Sequence, residues 1–122
     1  MIQRGSKILI VDNSGAKKIQ IINLLKKNKK NRVTIGDIVI TAIKSTNTKT
    51  KNLLSQVCRG IITEVKTKNF RKNGSNFKSD RSAMILLNSQ NEPLGTRISG
   101  LIGYELKLLP NSKIIAISAN HI

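Results

Sequence analysis

The side chains that could do acid–base or nucleophilic chemistry are few in this sequence: six carboxylates, one cysteine and one histidine. Catalysis needs such groups to converge, either as a base within reach of a nucleophile or as several ligands around a metal. Asp12, Asp37, Glu64, Asp80, Glu92 and Glu105 are instead spread along the chain, and no Cys and His set has zinc-ligand spacing. Asp12 opens the run Asp12-Asn13-Ser14-Gly15, where a carboxylate ordinarily bonds its own backbone in a turn. Cys58 lies in a strand-like run and reads as a small core residue rather than a nucleophile. His121 stands one residue from the C-terminus, where chains are loosely held, and is assigned no role. The expectation is a protein without catalytic residues, metal or cofactor.

The chemistry in which the sequence is rich is that of cations. It carries 22 Lys and Arg against 6 Asp and Glu, a net charge of +16. Residues 1–82 hold 19 basic and 4 acidic groups, and residues 83–122 only 3 and 2. An anionic polymer is therefore expected on the first two-thirds, with packing or protein contacts in the last third. Lys and Arg that meet phosphates release condensed counterions, which supplies most sequence-independent affinity for nucleic acid. The residues expected to do so are Lys17 and Lys18 after the turn, and Lys26, Lys27, Lys29, Lys30 and Arg32 in a loop without an apolar anchor. Lys44, Lys49 and Lys51 come next, around a second polar loop, and Lys66, Lys68, Arg71, Lys72 and Lys78 lie along a hairpin. A lysine run is most often a solvated loop, but +16 on one small domain repels itself unless something anionic neutralises it.

That anion is expected to be nucleic acid and not a membrane. No apolar run approaches ~18 residues, and the cations sit between strand-like segments rather than on an amphipathic helix. Phe70, Phe77 and Tyr104 are too few to line a base-stacking groove, so folded RNA would be read by shape and backbone. The alternatives are a freestanding RNA-binding translation factor of barrel type, which predicts stacking aromatics, and an enzyme such as a nuclease, which predicts convergent acids and bases.

The elements that must position these cations read as strands. A chain of 122 residues is one domain, able to bury roughly two-thirds of its unfolded surface. Ile8 to Val11 is a short apolar strand and Asp12 to Gly15 a turn. Lys17 to Leu25 alternates, with Ile19 and Ile21 opposite Lys18 and Gln20. Ile38 to Ile43 is a third strand. From Val57, alternation puts Val57, Arg59, Ile61, Thr63 and Val65 on one face and Cys58, Gly60, Ile62, Glu64 and Lys66 on the other. Asn73-Gly74 signals a hairpin that returns toward Ser82 to Leu87. Asn88 to Pro93 is turn-rich, and Gly95, Gly100 and Gly103 break the next segment into short pieces. Tyr104 to Leu109 is the expected short helix and Lys113 to Ser118 a last strand. Short strands at close spacing favour a small closed barrel over a sandwich.

Asp12-Asn13-Ser14-Gly15-Ala16-Lys17-Lys18, Gly36-Asp37-Ile38, the stretch Gly60 to Leu87 with Asn73-Gly74-Ser75 inside it, and Gly95-Thr96-Arg97-Ile98 followed by Glu105-Leu106 resemble the ribosomal protein L-fourteen family over essentially the whole chain. The resemblance implies a mainly β fold: a five-stranded barrel with a projecting β-ribbon and short C-terminal helices, seated on large-subunit ribosomal RNA. It implies neighbours, ribosomal proteins L-three and L-nineteen, and intersubunit bridges to small-subunit rRNA. It also implies a docking site for the ribosome silencing factor, which by position falls on Thr96, Arg97 and Lys113. The chain departs from the family pattern at Ser79 and Ser99, where Phe is usual, at Leu101, which replaces a Pro, and at residues 45–55, which lack the usual Pro and Gly.

Lys, Asn and Ile make up 48 of the 122 residues, and all three are encoded by A- and T-rich codons. Neither a signal-peptide core nor an Arg- and Ser-rich presequence is seen at the N-terminus. An organelle genome fits, and the lost aromatics suggest a mitochondrial ribosome, with plastid and bacterial cytoplasm as alternatives.

Overall fold

The computed structural model describes residues 4–25, 33–66, 68–70, 72–103, 105–106 and 113–121. The basic loop at 26–32, Arg71, Tyr104 and residues 107–109 of the expected helix lie outside the described residues; Glu105 and Leu106 form a short 3-10 turn.

In chain order the strands are β1 (Lys7–Ile10), β2 (Ala16–Leu24), β3 (Ile38–Thr46), β4 (Val57–Glu64), β5 (Asn69–Phe70), β6 (Asn76–Phe77), β7 (Ala83–Leu87), β8 (Ile98–Ile102) and β9 (Ser118–His121). A 3-10 turn spans Thr48–Leu53, and a short helix, α1, spans Lys113–Ile117. β1, β2, β3, β4 and β7 close into the expected five-stranded barrel, in which only the β1–β7 seam is parallel. β5 and β6 form the separate ribbon, and β8 pairs in parallel with β9.

Residues directly opposite one another share a face of the sheet. The pairs Ile8↔Ile19, Ile19↔Ile43, Ile21↔Thr41, Thr41↔Cys58, Val39↔Gly60, Gly60↔Leu86 and Ile62↔Met84 therefore trace one continuous surface, the barrel interior. It is aliphatic, and each Ile on it that is removed from water contributes about 1.5–3 kcal/mol. Gly60 makes room for Met84: a Cβ at position 60 would lie 1.8 Å from Met84 Cε and 3.0 Å from the Ile85 carbonyl oxygen. The buried hydroxyl of Thr41 is satisfied by donating to the Cys58 carbonyl at 3.1 Å. The outer faces of β4 and β7 are buried too around Ile61 and Ile85, because β8 packs against β4. There Ile61 and Ile85 join Ile98, Ile102, Leu106 and Ile114 in the same core.

The barrel ladders slip at four places. Between Ala16↔Thr46 and Lys18↔Ser45, β2 carries one extra residue, Lys17; between Lys18↔Ser45 and Ile19↔Ile43, β3 carries Lys44. Between Ile21↔Thr41 and Asn23↔Ile40 the extra residue is Ile22. Such bulges re-aim side chains without breaking the sheet. On β4 the pairs Ile62↔Met84 and Glu64↔Ala83 leave Thr63 as the extra residue. That slip overturns the strict alternation expected of β4: Glu64 shares the outer face with Ile61 and Ile85 instead of the inner face with Ile62.

Three further expectations need correction. Lys113 to Ser118 is not a strand but α1, with β9 starting at Ser118. Its isoleucines favour a strand by type, yet Ile114 is buried, Ala116 exposed and Ile117 half-buried, a three-residue spacing that suits one helical face. The glycine-broken segment holds strand β8, which passes through Gly100 at φ +85° and slips by one residue against β9. The hairpin at Asn73-Gly74 is present, but five residues separate β5 from β6 rather than two. Its turn is closed by Asn73 Oδ1, which accepts from Ser75 N at 3.0 Å and Ser75 Oγ at 2.6 Å, with Gly74 at φ +85°.

The bulged register of β2 makes a direct prediction. Ile19 is 0% exposed and Ile22 47%. Ile19→Ala should cost about 2–5 kcal/mol in denaturant unfolding, and Ile22→Ala should stay within about 0.5 kcal/mol. Comparable losses for the two would contradict this register.

Candidate nucleic-acid interface

The turn after β1 is tied to two other parts of the chain. Asp12 Oδ1 accepts from Ser14 N at 3.2 Å and Ser14 Oγ at 2.6 Å, which is the expected turn-forming role. Its Oδ2 accepts from Leu86 N at 3.2 Å, which with Val11 N donating to the Met84 carbonyl at 3.1 Å extends the β1–β7 seam beyond the end of β1. Asn13 Oδ1 accepts from Thr96 N at 2.7 Å and Arg97 N at 3.1 Å, and Asn13 Nδ2 donates to Thr96 Oγ1 at 2.8 Å. Gly95 permits this approach, since a Cβ there would lie 2.7 Å from Asn13 Oδ1. Ser99 N and Oγ both donate to the Val11 carbonyl, at 2.7 and 2.9 Å. One turn thus fixes both the lysines that come after it and the Thr96-Arg97 loop.

Among the residues expected to meet phosphate, Lys17, Lys18, Lys44, Lys49, Lys66, Lys68, Lys72 and Lys78 are all exposed. The bulges bring Lys17, Lys18 and Lys44 within one step of each other on adjacent strands, so three cations leave the barrel at one end of the β2–β3 pair. Lys49 and Lys51 belong to the 3-10 turn beyond it. Lys68 and Lys78 flank the ribbon pair Asn69↔Phe77, and Lys72 sits in the ribbon's turn. Lys26, Lys27, Lys29, Lys30, Arg32 and Arg71 lie outside the described residues.

The acids behave differently. Asp37 Oδ2 accepts from Thr34 N at 2.7 Å, closing the turn before β3, where Gly36 holds φ +90°. Glu64 is buried at 3% exposure, and a buried carboxylate is costly unless its oxygens are paired. Arg81 Nε and Ser79 Oγ donate to Oε2, each at 3.1 Å, and Leu101 N donates to Oε1 at 3.1 Å. A proline at 101 would lack that N–H and a phenylalanine at 79 that hydroxyl. Ser79 and Leu101 thus serve one buried carboxylate. Sequence alternation missed Glu64 and its partner Arg81; the signal that could have found them was the hydroxyl of Ser79 at a position where the resemblance leads one to expect Phe.

The three residues expected at a protein contact are all exposed, and the structure ties each of them down. Lys113 Nζ lies 2.6 Å from Glu92 Oε1, and this cation holds the Glu92 carboxyl below its ordinary value. Burial pushes the Cys58 thiol up, so it stays protonated and a poor nucleophile. Among the described residues no group of three His, Cys, Asp or Glu stands close enough to hold a metal ion.

Asn13→Ala should accelerate amide exchange at Thr96 and Arg97 roughly tenfold, the equivalent of a ~1.4 kcal/mol bond, while β4 amides stay protected. An NMR titration should show Glu92 protonating at lower pH than an unperturbed glutamate, and Lys113→Ala should move it back up. Because the folded carboxyl is the more acidic, any stabilisation by this pair is present above the ordinary glutamate range and lost as pH falls through the folded value.

The barrel, its ribbon and the cationic loops belong to a chain that matches, over residues 1–122, the family described as Ribosomal protein L14p/L23e. A match across all the residues, with the order of motifs kept from the Asp12 turn to the Glu105-Leu106 pair, assigns the chain as a whole and not one segment of it. The chain belongs to the ribosomal protein L14p/L23e family, a family of large-subunit ribosomal proteins.

Proposed function

We propose that the protein works as a structural constituent of the large ribosomal subunit, holding large-subunit rRNA through its basic loops and ribbon. The observation that carries this reading is the segregation of charge: eight exposed lysines of the expected set stand on the outside, while Asp12, Asp37 and Glu64 spend their oxygens on the protein's own donors. The surface is left cationic with little internal neutralisation, which suits a polyphosphate partner.

At the subunit interface the protein would neighbour ribosomal proteins L-three and L-nineteen and contribute to bridges with small-subunit rRNA. Thr96, Arg97 and Lys113 would offer a protein-docking surface of the kind a ribosome silencing factor uses. Support comes from the rigidity of that surface, which Asn13 and Glu92 fix from two sides. The A- and T-rich codon bias of the composition and the missing aromatics favour a mitochondrial ribosome over a plastid or bacterial one.

If ~6–10 phosphates are contacted, affinity for a transcript of large-subunit rRNA should fall by about 10³–10⁵ between 50 and 200 mM salt. A flat response would contradict RNA binding through the loops.

A further inference from the structure

We infer that the groove between the Asp12 turn and the Arg81 corner seats a backbone phosphate of RNA, with Arg81 as its main contact and Lys17 and Lys18 beside it. The inference rests on the RNA-binding reading above and names one place where that binding happens.

The groove encloses about 430 Å³ and is lined by Asn13, Lys17, Lys18, Asn47, Arg81 and Ser99, among others. Three cations thus face one space. Asp12 also lines it, but both of its carboxylate oxygens already accept hydrogen bonds from Ser14 and Leu86. The two consecutive lysines are exposed together because Lys17 is a bulge residue; in an unbroken ladder one of them would point inward.

Arg81 is held from behind. Its Nε donates to buried Glu64, which engages one of the five N–H groups a guanidinium carries. The Arg81 side chain remains 45% exposed although its anchor is 4% exposed. Gly100 leaves the space for this arrangement, since a Cβ there would lie 2.6 Å from Arg81 Nη2 and 2.8 Å from Glu64 Oε1. A guanidinium fixed in this way loses little further freedom on meeting a phosphate, and its planar fork matches phosphate oxygens. Among the described residues no aromatic side chain lines the groove, so it offers nothing there for a base to stack on and favours the backbone.

Binding of the full-length protein to a large-subunit rRNA transcript, measured as log K against log salt, tests the site. The paired variant Glu64→Gln with Arg81→Gln leaves the net charge unchanged, so any change in slope reports a lost contact rather than bulk charge. The slope should become shallower by about 0.7–0.9, with affinity roughly sixfold weaker at 0.1 M salt. A second measurement needs no variant: the Arg81 side-chain resonances of the wild-type protein should shift on adding the transcript. If the wild type binds with a steep slope, yet the variant keeps that slope and the Arg81 resonances stay still, the groove assignment is overturned and RNA binding stands. If the wild type does not bind at all, both fall.

Discussion

Like-charge repulsion is the constraint under which this fold is built. A net charge of +16 on 122 residues is tolerable only if the cations are kept apart or are quenched by a partner. At physiological ionic strength repulsion is screened beyond roughly 8 Å, so neighbouring lysines feel one another and distant ones do not. The architecture concentrates them nonetheless, at the end of the β2–β3 pair and along the ribbon. A monomer selected for stability alone would interleave carboxylates with these lysines. Here three acids are instead committed to turns and to the interface between β4 and β8.

The barrel can carry this coat because its interior makes almost no electrostatic demand. Ile, Val, Leu and Met fill it, and the buried hydroxyls of Thr41 and Thr63 are satisfied by the Cys58 and Ala83 carbonyls. The polar exception lies outside the barrel wall, where Glu64 gathers three donors beneath β8. Two of those donors come from Ser79 and Leu101. The carboxylate in turn fixes an arginine at the rim of the lysine-bearing groove. A buried charge is not by itself a source of stability, so its value is better sought in the orientation it imposes.

Much of this was legible in the residues. The alternation of Ile19 and Ile21 against Lys18 and Gln20 specifies β2 and its inner face, and the Asp12 to Gly15 run announces its turn. The aliphatic composition and short spacing point to a closed barrel. The bulges were not legible, because a one-residue slip depends on the partner strand and leaves no mark on its own strand. The misplacement of Glu64 came from that, as a period of two carried through Thr63 puts it on the wrong side of the sheet. The helix at Lys113–Ile117 was hidden by isoleucines that favour strands until burial picks out Ile114 and Ile117. The exposed lysines were readable as a population from charge alone, whereas Arg81 needed its three-dimensional anchor to stand out.

The central claim is that the cationic face is covered by RNA in the assembled particle. Lysine-reactive footprinting of intact large subunits, compared with the free protein, tests it most directly. The account predicts that Lys17, Lys18, Lys44, Lys68 and Lys78 label readily in the free protein and are strongly protected in the particle. Equal labelling in both would show that these side chains face solvent after assembly, and would contradict the account.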